Sequence, residues 1–126
     1  MSHNSDMSEG MYREHILELY RNPGNYGELK NPTHKHTENN AFCGDEITIH
    51  INAGNGKVKD AKFSGSGCVI SMVSSSLLTD KIRGMKISDV KELGKKDMIK
   101  LLKINVNQGR IKCALLPLEA VKKCLK

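Results

Sequence analysis

The chain contains no tryptophan, and phenylalanine and tyrosine together make up only 4% of its 126 residues. A hydrophobic core must therefore be built mainly from aliphatic side chains, and the hydrophobic fraction of 38% suffices for one domain of this length. So few aromatic rings argue against a stacking platform for nucleic-acid bases, and nucleic acid is not an expected partner.

Long apolar runs are also missing. No stretch approaches the run of about 20 apolar residues that a membrane-spanning helix requires. The first ten residues are polar and rich in His, Asn and Ser, unlike a secretory leader. We expect a disordered tail over residues 1–10, a single domain over residues 11–126, a cytoplasmic location and no membrane partner.

The four cysteines include no local Cys-x-x-Cys pair. In a reducing compartment they favour metal or sulfur chemistry over a disulfide framework. Cys43, Cys68 and Cys113 are separated by 25 and 45 residues, so a shared site would have to be assembled by the fold. Cys124 follows Cys113 by 11 residues, about 16 Å along one helix, too far for both to bind one metal, and we expect it to pack as a hydrophobic side chain.

Two alternating segments predict an antiparallel hairpin with one face on the core. In residues 45–52, isoleucines alternate with polar residues, which include His50, and residues 57–64 alternate again. Gly54-Asn55-Gly56 forms the predicted turn between them. The polar residues 31–40, with His34 and His36, predict a solvated loop or a weak edge strand.

Apolar residues at helical spacing predict helices over residues 11–21, from Cys68 to about Gly84, and over residues 87–93, 97–104 and 114–125. Because Pro117 is tolerated in a first turn, we expect Cys113 at or near the N-cap of the last helix. Cys68 would begin the second helix. A helix N-terminus stabilises a thiolate, the form of cysteine that binds metal.

Asp45 follows Cys43 by two residues and offers a fourth ligand, although an acidic residue at the start of a strand is equally well explained by exposure to water. The glycines beside Cys43 and Cys68 would let backbone amides approach a bound sulfide. Three thiolates and one harder carboxylate would hold zinc or an iron–sulfur unit less tightly than four thiolates.

The charge is uneven, because residues 81–126 hold 13 Lys and Arg against 4 Asp and Glu. One interpretation is a docking face for an acidic protein or for nucleic acid, and the other is a set of solvated helix faces, which the scattered lysines favour. A structural zinc domain that binds a protein or nucleic acid through this region is therefore one functional alternative.

Several motifs occur in order between about Tyr12 and Leu125: Tyr20-Arg21-Asn22-Pro23-Gly24-Asn25-Tyr26-Gly27, Cys43-Gly44-Asp45, Asp60-Ala61-Lys62-Phe63, Gly67-Cys68, Ser74-Ser75-Ser76-Leu77 and Lys112-Cys113-Ala114. Taken together, they resemble the U-type iron–sulfur cluster assembly proteins, a family that includes IscU, the N-terminal domain of NifU, and SufU. The resemblance implies an α+β fold in which helices cover one face of a small antiparallel sheet. We expect three strands and a long C-terminal helix.

The resemblance also implies that Cys43, Cys68 and Cys113 bind an iron–sulfur cluster, of the 2Fe-2S type, or Zn²⁺ and accept sulfur, and that Asp45 is a ligand that makes the cluster labile. The implied function is a scaffold that accepts sulfur from a cysteine desulfurase and passes the cluster to apo-proteins. Attack on a persulfide requires an accessible thiolate, and Cys113 is our candidate acceptor because Lys112 beside it would favour its thiolate.

The branch of the family carries a functional alternative. IscU proteins usually have a histidine before the third cysteine and a Leu-Pro-Pro-Val-Lys segment read by a dedicated chaperone. Here the segment is Asn107-Gln108-Gly109-Arg110-Ile111-Lys112-Cys113, which argues against that chaperone as a partner. The residues around Cys68 and Cys113 look more like SufU, a zinc-dependent sulfurtransferase that activates a desulfurase, but the insertion typical of SufU between these cysteines is missing.

Overall fold

The computed structural model describes residues 14–41, 44–103 and 106–126. The predicted tail over residues 1–10 lies outside them. The described elements are helix α1 (residues 14–21), strands β1 (His34–Asn40), β2 (Asp45–Gly54) and β3 (Lys57–Ser66), helices α2 (Val69–Ile82), α3 (Ile87–Lys91) and α4 (Lys95–Leu102), a 3-10 turn (Gln108–Arg110) and helix α5 (Ile111–Cys124).

The described strands form one antiparallel sheet in the order β1-β2-β3. This confirms the predicted α+β class, the three-stranded sheet and the long C-terminal helix. The β2–β3 hairpin turns at Asn55 and Gly56, whose φ angles of 55° and 74° are typical of a type I′ turn. Asn-Gly favours this turn because both positions require a positive φ, so the local sequence sets the hairpin register.

The core lies between one face of the sheet and helices α2 and α5. Ile49 pairs with Phe63 and Ile51 pairs with Ala61, and all four side chains are fully buried. Burial of each such isoleucine contributes about 1.5–3 kcal/mol relative to exposure. No helix within the described ranges is long and apolar enough to cross a membrane.

The opposite face of the sheet is not simply solvated. The backbones of Asn25 and Gly27 hydrogen-bond to Phe63 at the outer edge of β3, whereas β1 begins at the other edge of the sheet. Residues 28–33 connect these two edges. His50 lies on the polar face of β2, as the alternation predicted, but it is only 1% exposed. Burial lowers the pKa of His50.

Strand β1 carries polar side chains on the side that faces α5. His34 and His36 lie on this strand, so the prediction of a solvated loop was wrong, although the alternative of an edge strand is confirmed. Glu38 accepts hydrogen bonds from Lys123 of α5 at 2.7 Å and from His36 at 2.9 Å. The hydrogen bond from Lys123 lowers the pKa of Glu38, and this ion pair links the edge strand to α5.

Helix α5 begins three residues earlier than the sequence predicted. Cys113 is therefore its third residue, near the N-cap as expected, whereas Pro117 lies in the helix interior and not in the first turn. Proline cannot donate the helical hydrogen bond to the carbonyl of Cys113, which disfavours such a position. The buried apolar side chains of this helix, which include Leu116 and Val121, offset that loss through packing on α2 and the sheet.

Candidate metal centre

The register of the β2–β3 hairpin brings Asp45 to the chain that leaves β3. Glu46 pairs with Ser66, and because the strands are antiparallel, Asp45, which precedes Glu46, lies beside Gly67, which follows Ser66. Gly65 has a φ of +114°, and a side chain there would collide with the carbonyl oxygen of Glu46. A glycine is therefore required where β3 ends and the chain turns toward α2.

Helix α2 starts next to Asp45. Cys68 is its N-cap residue, and the backbone N–H of Cys68 donates a hydrogen bond of 3.0 Å to Oδ1 of Asp45. Within the described chain, the Cys68 side chain makes no capping hydrogen bond, and the first turn of α2 contains no acidic residue. Asp45 thus supplies, from a strand, the negative charge that the N-terminus of α2 lacks.

Helix α5 contributes the third side chain. The Cys113 and Cys68 sulfurs and a carboxylate oxygen of Asp45 all lie within 4.8 Å of one another. Zinc bonds of about 2.3 Å at tetrahedral angles would place two sulfurs about 3.8 Å apart. The three ligand atoms therefore need to move together by at most about 1 Å, well within the reach of side-chain rotation.

The Asp45 carboxylate has an oxygen available for a ligand. Asp45 is only 3% exposed, and its Oδ2 is buried without a hydrogen-bond partner among the described residues. A buried anionic oxygen without a partner is costly, and such groups usually bind a metal or a buried donor. Two thiols and this carboxylate fit zinc or iron as a donor set.

The three side chains differ in their access to solvent. Cys113 is 1% exposed and Asp45 is buried, whereas Cys68 is partly exposed. A ligand or partner would thus approach these three side chains from the side of Cys68.

The other predicted residues separate clearly. Cys43 lies outside the described residues, and Lys112 is exposed on the first turn of α5, so the roles of both stay predictions. Cys124 is buried at the far end of α5 and its thiol lies 3.9 Å from the Ile49 carbonyl oxygen. Burial raises the pKa of Cys124 to about 11, which agrees with its predicted role as a packing residue.

Sequence reasoning missed the contribution of Ser71. This buried serine lies one turn into α2 and donates a hydrogen bond of 3.1 Å to the Cys68 carbonyl. Its position three residues after an N-cap cysteine is the signal that would have suggested a contact with the start of the helix.

The structure is thus a small α+β domain in which two cysteines and an aspartate lie close together at one end of the sheet. The sequence model of the family described as NifU-like N terminal domain matches residues 11–126. The chain therefore belongs to this family, and the resemblance seen in its motifs is confirmed.

Individual relatives agree with this assignment. The chain is 34% identical to the iron–sulfur cluster assembly scaffold protein IscU of Thermotoga maritima, over 92% of this chain and 93% of that protein. It is 36% identical to the zinc-dependent sulfurtransferase SufU of Bacillus subtilis, over 98% and 94%. A crystal structure of a SUF-system scaffold protein from Fervidobacterium islandicum superposes with a TM-score of 0.77 at 24% identity, over 88% and 93%, which shows the shared fold.

Proposed function

We propose that this chain is an iron–sulfur cluster assembly scaffold that receives sulfur from a cysteine desulfurase, holds a transient cluster and passes it to apo-proteins. The observation that supports this function is the convergence of Asp45, Cys68 and Cys113, with ligand atoms within 4.8 Å, at a point that Cys68 leaves partly open. The unit that carries the function is the single domain over residues 11–126, acting in the cytoplasm, where thiols stay reduced.

The proposed ligand set adds Cys43 to the three convergent residues. Cys43 precedes Asp45 by two residues in the sequence and would complete four ligands. Thiolates hold iron firmly, whereas the carboxylate of Asp45 is a harder and weaker ligand for a cluster. A site with one weak ligand suits a protein that must release its cargo.

Sulfur would be transferred to this chain by thiol exchange. A thiolate of this chain attacks the outer sulfur of the desulfurase persulfide, the S–S bond of the desulfurase breaks, and the electron pair leaves with the desulfurase thiolate. The new persulfide remains on this chain. We keep Cys113 as the acceptor, with Lys112 beside it in sequence, and the 1% exposure of Cys113 requires that the partner first displaces the residues covering it.

A zinc-dependent sulfurtransferase is the second candidate, and the 36% identity to the Bacillus subtilis sulfurtransferase over 98% of the chain favours it. In this case Asp45 and the cysteines would hold Zn²⁺ until one cysteine is released to take sulfur. Bound zinc would stabilise the thiolate form of its cysteine ligands at neutral pH and would supply no redox chemistry.

The test is anaerobic reconstitution with ferrous iron, cysteine and a cysteine desulfurase, followed by desalting and measurement of iron, sulfide and zinc on the protein. Serine variants of Cys43, Cys68 and Cys113 are compared with Cys124→Ser. The last is a matched control, because Cys124 is a buried cysteine that packs in the core away from the cluster.

Near-stoichiometric iron and sulfide that the three site variants lose and Cys124→Ser retains would support the scaffold. Zinc retained without iron, with faster desulfurase turnover, would support the sulfurtransferase instead. Zinc that resists chelators and leaves desulfurase turnover unchanged would contradict both, and would favour a structural zinc domain whose binding to nucleic acid or protein would weaken with salt.

A further inference from the structure

We propose that Gly67 and Ser71 are positioning residues that determine how Asp45 presents its carboxylate to the metal. The proposal rests on the metal-binding function proposed above. It concerns two residues that lie next to the ligands but offer no ligand atom themselves.

The glycine at position 67 is not explained by its backbone. Gly44 and Gly65 have φ angles of +74° and +114°, in the region that favours glycine. Gly67 is not among the described residues with a positive φ, so an L-residue would be compatible with its conformation. The reason for glycine at this position must lie in the surrounding space.

That space is occupied by the Asp45 carboxylate and the Ser71 hydroxyl. A Cβ at Gly67 would overlap Oγ of Ser71 and would lie 3.0 Å from both Cγ and Oδ1 of Asp45. All the neighbours are buried, so a methyl group would force the carboxylate to shift by a few tenths of an ångström. Because Gly67 has no side chain, the Asp45 carboxylate can lie directly against its backbone.

Ser71 acts on the same carboxylate through Cys68. The Ser71 hydroxyl donates a hydrogen bond to the Cys68 carbonyl, and the Cys68 N–H donates to Oδ1 of Asp45. These two bonds hold the start of α2 against the carboxylate. Oδ1 is engaged by the backbone, and Oδ2 is the buried oxygen left without a partner among the described residues.

The arrangement therefore selects one oxygen of Asp45 as a metal ligand. Ligand distances in metal sites are held to about 0.2 Å, so a shift of a few tenths of an ångström is enough to weaken the bond. Partners that orient a ligand typically change metal affinity by about 10–100-fold when they are removed. We expect the same range for a methyl group at Gly67.

The experiment titrates Co²⁺ and Zn²⁺ into the full chain with a competing chelator, and records the cobalt absorption bands that report ligand identity. Gly67→Ala should lower metal affinity about 10–100-fold and move the cobalt spectrum toward that of Asp45→Ala. Combination with Ser71→Ala removes the overlap with Oγ but leaves the new methyl group 3.0 Å from the Asp45 carboxylate, so the metal affinity should stay low. In an Asp45→Ala background, Gly67→Ala should cause no further loss.

Ser71→Ala alone provides a second test if Gly67→Ala does not fold. It should lower metal affinity several-fold in the natural chain and leave it unchanged in the Asp45→Ala background. Ser75→Ala is the matched control, because Ser75 is a buried serine on the same helix and donates the equivalent bond to the Ser71 carbonyl. It should leave both the affinity and the cobalt spectrum unchanged.

The outcomes separate this inference from the proposed function. If the natural chain binds metal through Cys68 and Cys113 but Gly67→Ala and Ser71→Ala bind equally well, the positioning role is wrong and the proposed function stands. Losses of metal affinity that are equal in the natural chain and in the Asp45→Ala background would also overturn the positioning role. If the natural chain binds neither metal, the proposed function fails and this inference fails with it.

Discussion

Asp45 has two separable roles in this structure, and two substitutions distinguish them. One carboxylate oxygen accepts a hydrogen bond from the Cys68 N–H at the start of α2, and the other is buried without a hydrogen-bond partner among the described residues. Asp45→Asn keeps an oxygen for the backbone but removes the anionic ligand. Asp45→Ala removes both.

The magnitudes follow from these contacts. Loss of a capping oxygen costs about 1 kcal/mol, which for a domain of this size lowers Tm by roughly 4 °C. The metal-free form of Asp45→Ala should therefore melt about 4 °C below the natural chain. Asp45→Asn should melt close to it, because it exchanges one unpartnered buried polar atom for another.

Zinc binding should weaken in both variants. A tenfold lower affinity removes about 1.4 kcal/mol of the stabilisation that saturating zinc provides, which corresponds to roughly 6 °C in Tm. The assay is thermal unfolding followed by circular dichroism, with and without excess Zn²⁺, under reducing conditions.

The reasoning would be refuted by either of two results. Equal melting of metal-free Asp45→Ala and Asp45→Asn would show that the bond to the Cys68 amide does not stabilise α2. A zinc-induced shift in Asp45→Asn as large as in the natural chain would show that the carboxylate is not a ligand.

Three further predictions concern titratable groups away from the centre. Because burial raises the pKa of Cys124 to about 11, stability should fall as the pH rises above about 9, and Cys124→Ala should flatten this slope in urea unfolding; an equal slope would contradict it. Because the bond from Lys123 lowers the pKa of Glu38, the stability from this ion pair should be lost as the pH falls below about 4.5, and Glu38→Gln should lose less stability over that range. Burial, aided by Lys35 and opposed by Glu28, lowers the pKa of His50, so stability should fall as the pH drops below about 6.5; a His50→Gln variant with the same pH profile would rule this out.

Local patterns were sufficient for the elements whose energetics are local. The alternation in residues 45–52 and the Asn55-Gly56 turn predicted the β2–β3 hairpin, and helical spacing after Cys68 predicted α2. In these segments the side-chain period, the turn chemistry and the burial agree. The sequence also predicted a metal site assembled by the fold, because its cysteines include no local pair.

Local patterns failed where packing overrides them. Pro117 predicted a helix start near Ala114, but α5 continues through the proline because its apolar face is buried against α2 and the sheet. For β1 the polar residues left a loop and a weak edge strand as alternatives, and the pairing with β2 decides for the strand. Strand β2 is the next strand along the chain, whereas Lys123, which donates a hydrogen bond to Glu38 of β1, lies 85 residues from it.

The sequence by itself identified the candidate ligands, three cysteines of which two lie near helix starts, and left Asp45 equally well explained by exposure to water. The tertiary structure alone decided where Asp45 lies. The hairpin register sets it beside Gly67, the first amide of α2 takes one of its oxygens, and the absent side chain at Gly67 leaves room for the carboxylate. These contacts depend on distances between segments more than 20 residues apart, which only the packed chain defines.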